Sequence, residues 1–193
     1  QRSLVGSEMC IRDRSGETSD TIKSAQKVKE LSNLATLCIT NNEESTIWNL
    51  CDYKVACYAG TEQGIAATKS FTSQMLCLIL ISLKLVEKIH GDNATIGYKK
   101  SLFSLPAVVD KALAKREDIK KLAAILAKEN TIVITADGIS YSLAKEAALK
   151  IKETSYKNIS AAILGEFMHG HVAVLNNPSM LIYIAAVSYT HLT

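Results

Sequence analysis

Apolar residues recur along the chain in two rhythms, short β-branched runs and longer stretches at helical spacing. Residues 34–40 (LATLCIT), 54–58 (KVACY), 131–135 (TIVIT) and 179–186 (SMLIYIAA) are compact apolar runs, and they predict buried strands. Between them, 15–31 carries Ile22, Ala25 and Val28 at helical spacing behind Ser, Thr and Asp caps, with acids where a first turn would favour them. A short helix is expected at 45–51 and a long one at 67–89. Pro106 starts another helix, followed by one reaching about residue 128, and 139–155 has strong helical periodicity. His90-Gly91-Asp92-Asn93 breaks the long helix, and the stretch through Ser104 is a polar linker with helical potential. Strand–helix alternation of this kind predicts parallel sheets covered by helices. The pattern occurs twice, at 15–58 and 131–186, so two incomplete α/β units are expected.

The run MLCLILISL at 75–83 stops at Lys84, short of the roughly 20 apolar residues a membrane span needs. It predicts a core or interface helix. The chain has 193 residues, 48% hydrophobic and 21% charged, which excludes disordered and fibrous classes. A net charge of +3 without a Lys/Arg block excludes a polyphosphate or nucleic-acid surface. Five cysteines lack metal-like spacing, which predicts reduced thiols and a cytoplasmic setting.

Arginine usage is uneven. Arg2, Arg12 and Arg14 lie in the first fourteen residues, and Arg116 stands alone among eighteen lysines thereafter. Residues 4–14 (LVGSEMCIRDR) back-translate into a transposase-based sequencing adapter ending in its mosaic end. Residues 187–193 (VSYTHLT) back-translate into the inverted copy. Segments 1–14 and 187–193 are therefore expected to derive from adapter, leaving 15–186 as native sequence. That native span divides into 15–66, connecting helices at 67–104, and 105–186.

Four segments could carry chemistry. Ser15-Gly16-Glu17-Thr18-Ser19-Asp20-Thr21 offers hydroxyls and a glycine at a helix start, where free N–H groups bind phosphate; a simple capping box accounts for it equally. Residues 58–74 place two glycines and five hydroxyl residues between a strand end and a helix. Loops leaving strand C-termini line ligand crevices, though an ordinary capped loop looks the same. Glu146, Lys150 and Glu153 fall within about 60° of one another on a helix, beside an apolar face. They form either a surface ion pair or a partly desolvated set able to move a proton. In Gly165-Glu166-Phe167-Met168-His169-Gly170-His171, His-x-His is weak as a metal signal, and His169 is a candidate acid/base.

Together, SGETSDT at 15–21, AGTEQGIAATKSFT at 59–72, AKEAALKIKETSY at 144–156 and GEFMHG at 165–170 resemble the sugar isomerase (SIS) domains of the isomerising glutamine–fructose-6-phosphate aminotransferase family. That resemblance implies SIS-type, flavodoxin-like parallel sheets flanked by helices, as two incomplete SIS units. It implies that Ser15 and Thr18 hold a sugar phosphate, with Ile65 and Ala67 near the substrate. Glu153 would move the proton between C1 and C2, Lys150 and Glu146 would assist at the hydroxyls, and His169 would open the sugar ring in the neighbouring subunit's site. The implied assembly is a homodimer or larger, the implied substrate and product are fructose 6-phosphate and glucosamine 6-phosphate, and no metal or organic cofactor is required. A glutaminase domain is expected upstream in cis, and neither nucleic acid nor membrane is an expected partner.

Several positions depart from the family pattern. Asp13-Arg14 replaces Ser-Gln, Ala67 replaces a frequent serine, Ala136-Asp137-Gly138 replaces Gly-Arg-Gly, and His171 replaces a proline. The imine-forming lysine of the family has no counterpart here, so the 193-residue chain is expected to lack turnover by itself. Alternatives are a SIS-type glucosamine-6-phosphate deaminase without a glutaminase domain, and a non-catalytic sugar-phosphate-binding module.

Overall fold

The computed structural model describes residues 9–12, 15–31, 34–64, 66–175 and 178–185. The chain divides into two compact units, 1–103 and 104–193. Both are built of parallel strands and helices.

In the first unit β1 (Met9–Arg12), β2 (Thr36–Thr40) and β3 (Tyr53–Ala56) form a parallel sheet in the order β1-β2-β3. β1 lies within 1–14, the segment expected to derive from adapter, and pairs with β2 in the register Met9↔Thr36 to Arg12↔Ile39. Helix α1 (Ser19–Leu31) joins β1 to β2, and α2 (Thr46–Leu50) joins β2 to β3. Their apolar faces meet the sheet through a cluster of Ala25, Cys38, Ile47 and Cys51. Burial first, and the neighbouring Cys51 thiol second, push the Cys38 thiol up to about 11. At the other end of β2, the Asp52 carboxylate accepts the Thr36 N–H (2.9 Å) and hydroxyl (2.7 Å) and pairs with Lys29 (3.0 Å). Those bonds, the Thr36 hydroxyl foremost, hold its carboxyl well below the usual range.

Helix α1 begins four residues later than its hydroxyl-rich start suggests. Gly16 has φ +71°, a left-handed conformation that ends any continuous helix, so 15–18 is a loop and Asp20 is the acid of the first turn.

Helix α3 (Lys69–His90) is anchored by buried Gln74, whose amide donates to the Ile39 carbonyl at 3.2 Å. Near its end the buried Glu87 pairs with Lys84 (3.2 Å) and Lys99 and accepts the Thr95 hydroxyl. Lys99 and Thr95 come from α4 (Ile96–Phe103) and the 3₁₀ turn Asp92–Thr95 before it. The whole of α3 is 22 residues with a window of mean hydropathy 1.4, so by length and composition it is able to cross a membrane, although its uninterrupted apolar run is short. Its ionic anchor at Glu87 fits a helix end tied to protein groups.

The second unit opens with two amphipathic helices, α5 (Leu105–Leu113) and α6 (Arg116–Leu126), with Pro106 in the first turn of α5. Strands β4 (Thr131–Ala136), β5 (Asn158–Ile163) and β6 (Ser179–Ile184) then form a parallel sheet in the order β5-β4-β6. The central β4 is buried along most of its length, which explains its unbroken apolar run. Helix α7 (Ser140–Ser155) packs Ala144 and Ala148 against Ile132, Ile134 and Ile159. Strand β5 has no counterpart in the sequence pattern. Its NISAAI segment has little apolar contrast, and six register pairs with β4 define it instead.

Candidate functional site

In the first unit, the loops that follow all three strands emerge at one end of the sheet, where open parallel sheets bind ligands. Ser15 and Thr18 belong to the loop after β1. The Ser15 hydroxyl accepts the Glu17 N–H at 3.1 Å, and the Thr18 carbonyl accepts the Ile22 N–H at 3.0 Å, which starts α1. Both residues are exposed, while Gly16 between them is buried. A Cβ on Gly16 would lie 2.1 Å from the Ser45 Oγ, so the loop sits directly on the start of α2. The Gly16 carbonyl accepts the Ile47 N–H at 3.1 Å. Glu17 is therefore not a first-turn acid of α1. Its carboxylate accepts the Thr46 N–H at 2.7 Å and the Thr46 hydroxyl at 2.8 Å, at the start of α2.

The loop after β3 is clamped from β2. Asn41 accepts the Ala59 N–H and donates to the Gly60 carbonyl, each at 2.8 Å. Farther along, Glu62 accepts the Thr68 N–H (2.8 Å), the Thr68 hydroxyl (2.7 Å) and the Ser70 hydroxyl, at the start of α3. These bonds, led by Ser70, lower its carboxyl to about 2. Ala67 is half-buried one residue before Thr68. Ile65 lies outside the described residues. Beneath the loop the Cys57 thiol is pushed up to about 12, by burial and then by the adjacent Cys77.

In the second unit, Lys150 bridges two carboxylates on one face of α7, with Glu153 at 2.9 Å and Glu146 at 3.5 Å. All three side chains are half-buried, whereas Lys145 and Lys152 face water. The helical spacing alone creates this set, because residues three and four apart are neighbours on a helix. Leu143 and Leu149 flank it and are exposed.

His169 lies elsewhere in the same unit. Helix α7 leaves the C-terminal end of β4 and returns to the N-terminal end of β5, so Glu153, in its last turn, is beside the strand N-termini. His169 follows β5 and α8 (Leu164–Phe167), at the C-terminal end of the sheet. Roughly 20 Å of helix separates those levels. Phe167, buried against Val133 and Ala162, pins the turn, and the exposed His169 lines a shallow open depression with Glu166, Gly170 and His171. The structure thus gathers Glu146, Lys150 and Glu153 and leaves His169 apart from them within the unit. Among the described residues, no three His, Cys, Asp or Glu side chains are grouped to hold a metal ion.

Periodicity made the α7 strip legible. The anchoring roles of Glu17, Asn41 and Glu62 were missed, and only the presence of acids inside loops otherwise suited to anions could have flagged two of them.

Comparison with known proteins connects these features. The SIS domain model matches residues 9–83 and 125–193. A glutamine–fructose-6-phosphate aminotransferase (isomerizing) from Buchnera aphidicola subsp. Baizongia pistaciae is 33% identical over 178 residues, 92% of this chain and 29% of that protein. Its namesake from Pseudomonas aeruginosa is 32% identical over 174 residues, 89% of this chain and 28% of that protein. The C-terminal domain of glucosamine-fructose-6-phosphate aminotransferase from Francisella tularensis has the same fold at TM-score 0.91 and 27% identity, covering 97% of this chain and 55% of that one. The chain spans less than a third of the length of the curated relatives it matches. Parallel sheets flanked by helices, and a family model matching most of the residues, lead to one conclusion: this chain belongs to the SIS domain family.

Proposed function

We propose that this chain is isomerase-domain sequence of a cytoplasmic glutamine–fructose-6-phosphate aminotransferase, which makes glucosamine 6-phosphate from fructose 6-phosphate and glutamine-derived ammonia. In this assignment 15–66 belongs to a first SIS unit and 105–186 to a second. The observation that carries it is the half-buried Glu146–Lys150–Glu153 set on α7. Interconverting a ketose and an aldose needs a carboxylate that takes a proton from one carbon and returns it to the next, with donors on the developing enediol oxygen. Glu153 has the position of that base. Lys150 offers the ammonium donor, and Glu146 keeps that ammonium oriented. Ser15 and Thr18 hold the phosphate, and Ile65 and Ala67 line the sugar. Similarity to the aminotransferases supports both assignments.

His169 serves to open the sugar ring in the site of a second copy, because within its own unit it stands at the opposite end of the sheet from Glu153. The enzyme is accordingly a homodimer or larger, with a glutaminase domain in the same polypeptide. Ala67, where a serine hydroxyl would contact the sugar, favours a second reading as a deaminase of glucosamine 6-phosphate. A chimera in which residues 15–186 replace the matching part of the Pseudomonas aeruginosa aminotransferase tests these assignments. Glutamine-dependent formation of glucosamine 6-phosphate is expected; ammonia release from glucosamine 6-phosphate without aminotransfer would select the deaminase. In the same chimera, mixing Glu153→Gln and His169→Ala subunits should restore activity through one intact site per mixed dimer. No restoration on mixing would place His169 outside the partner's site.

A further inference from the structure

Two motif glutamates are at odds with their surroundings. Glu17 lies between the proposed phosphate ligands Ser15 and Thr18, and Glu62 lies in the loop that carries Ala67. An unpaired carboxylate in either loop would repel an anionic substrate. Both carboxylates are instead engaged with donors at the start of the next helix. Glu17 spans 29 residues to take the N–H and hydroxyl of Thr46, at 2.7 and 2.8 Å. Glu62 takes the Thr68 N–H and hydroxyl, at 2.8 and 2.7 Å, and the hydroxyl of Ser70.

The surrounding packing makes these attachments restrictive. Gly16 has no room for a Cβ against Ser45, and its carbonyl accepts the Ile47 N–H. Ser45 in turn caps α2, accepting the Trp48 N–H at 3.3 Å and donating to the Asn42 carbonyl at 2.7 Å. In the other loop Ser70 is fully buried, and Asn41 fixes residues 59 and 60. Each loop is thus held at two points, one of them a carboxylate on a helix start, where negative charge is stabilised by the helix dipole.

We propose that Glu17 and Glu62 are positioning residues for sugar phosphate binding, each using its carboxylate to tie a ligand-bearing loop to the N-terminal end of the following helix. The inference rests on the assignment of Ser15, Thr18 and Ala67 to the substrate. Such residues contribute by preorganisation, since a loop already in its bound shape loses less entropy on binding. The same bonds turn carboxylates that would otherwise face the phosphate unpaired onto donors at the next helix start. A glutamine is able to satisfy either arrangement, accepting through its carbonyl and donating through its amide to a hydroxyl, whereas an alanine is not.

The 193-residue chain and its Glu17→Ala, Glu17→Gln, Glu62→Ala and Glu62→Gln variants provide the test. Amide hydrogen exchange at Thr46 and Thr68 reads loop attachment. Calorimetric titration with fructose 6-phosphate, and separately with inorganic phosphate, reads binding. Each alanine variant should speed exchange at its partner threonine at least tenfold and weaken fructose 6-phosphate binding about tenfold. Each glutamine variant should stay within about threefold of wild type in both. Inorganic phosphate should follow Glu17→Ala and respond little to Glu62→Ala, since Ser15 and Thr18 hold the phosphate. Unchanged exchange in the alanine variants overturns the proposal, as does unchanged affinity when wild type binds. Glutamine variants as impaired as alanine would also overturn it, by making charge and not attachment the requirement. Absence of fructose 6-phosphate binding by wild type, with exchange responding as expected, would instead sink the substrate assignment and leave the two glutamates as structural braces only.

Discussion

The two units present their candidate site residues by opposite means. In the first, the residues assigned to substrate lie on loops, and those loops are shaped by bonds reaching to other elements: Glu17 to Thr46, Asn41 to the 59–60 backbone, Glu62 to Thr68 and Ser70. In the second, Glu146, Lys150 and Glu153 ride on one helix and pair with one another. Their geometry follows from the helical repeat once the opposite face of α7 is packed against β4 and β5. A loop site depends on tertiary braces and is brittle at its glycines. A helix site depends on register and tolerates change around it.

The largest expected effect is chemical. Glu153→Gln in the chimeric aminotransferase should lower turnover by about 10²–10⁴ with little change in KM for fructose 6-phosphate, as removal of a positioned base does. A loss confined to KM would move Glu153 from proton transfer to binding. Next comes the contrast between two glycines with positive φ. Gly16→Ala meets Ser45 and should cost about 2–4 kcal/mol, from left-handed backbone strain and overpacking combined. Gly138→Ala in the second unit, with open space around its Cβ position, should cost about 1–2 kcal/mol. Thermal or urea unfolding of the two variants checks this, and equal costs would remove the proposed difference in loop packing.

Acid provides a smaller, directional effect. In the first unit Glu62 and Glu87 have carboxyls lowered to about 2, Glu62 chiefly by the Ser70 hydroxyl and Glu87 chiefly by Lys99. A lowered folded-state value means the contribution is fully present above the ordinary carboxylate range and is lost as pH falls toward 2. Fluorescence of Trp48, the sole tryptophan, should report stability of the first unit falling from about pH 4.5 to pH 2. Glu62→Gln and Glu87→Gln should each flatten that slope; an unchanged slope would refute their part in it. The smallest effect is expected on α7, where Glu146→Gln should cost only about 0.3–0.5 kcal/mol of stability, the scale of a helical ion pair. A cost several times larger, by denaturant unfolding, would show that the strip braces the second unit.

Particular residues show how much was legible in advance. All four strands and helices of 15–58 are legible from period and turn residues, because parallel strands buried on both faces are continuous apolar runs: β2 at Thr36–Thr40 and β3 at Tyr53–Ala56 stand within two residues of the expected limits. In the second unit β4 and α7 were equally plain, whereas β5, rich in alanine and serine, is a strand chiefly because β4 offers it a partner. The start of α1 was placed too early, since a run of hydroxyl residues caps a helix and lines a ligand loop with the same chemistry. The positive φ of Gly16 decides between those two outcomes.

For the candidate site, the α7 strip was visible because its members are neighbours along the helix. Family motifs likewise mark the two loops and the turn that carries His169 as candidates. The destination of the Glu17 and Glu62 carboxylates was not visible, nor was the separation of His169 from Glu153 within the second unit. Sequence by itself determined the alternation of elements, the family and the helical register of three charged residues, because those follow from local spacing and from motif chemistry. Only the tertiary structure decided which hydroxyl each loop carboxylate binds, which glycine is pressed against a neighbour and which end of a sheet each residue occupies. Those outcomes depend on contacts between elements distant in sequence, and local periodicity carries no information about them.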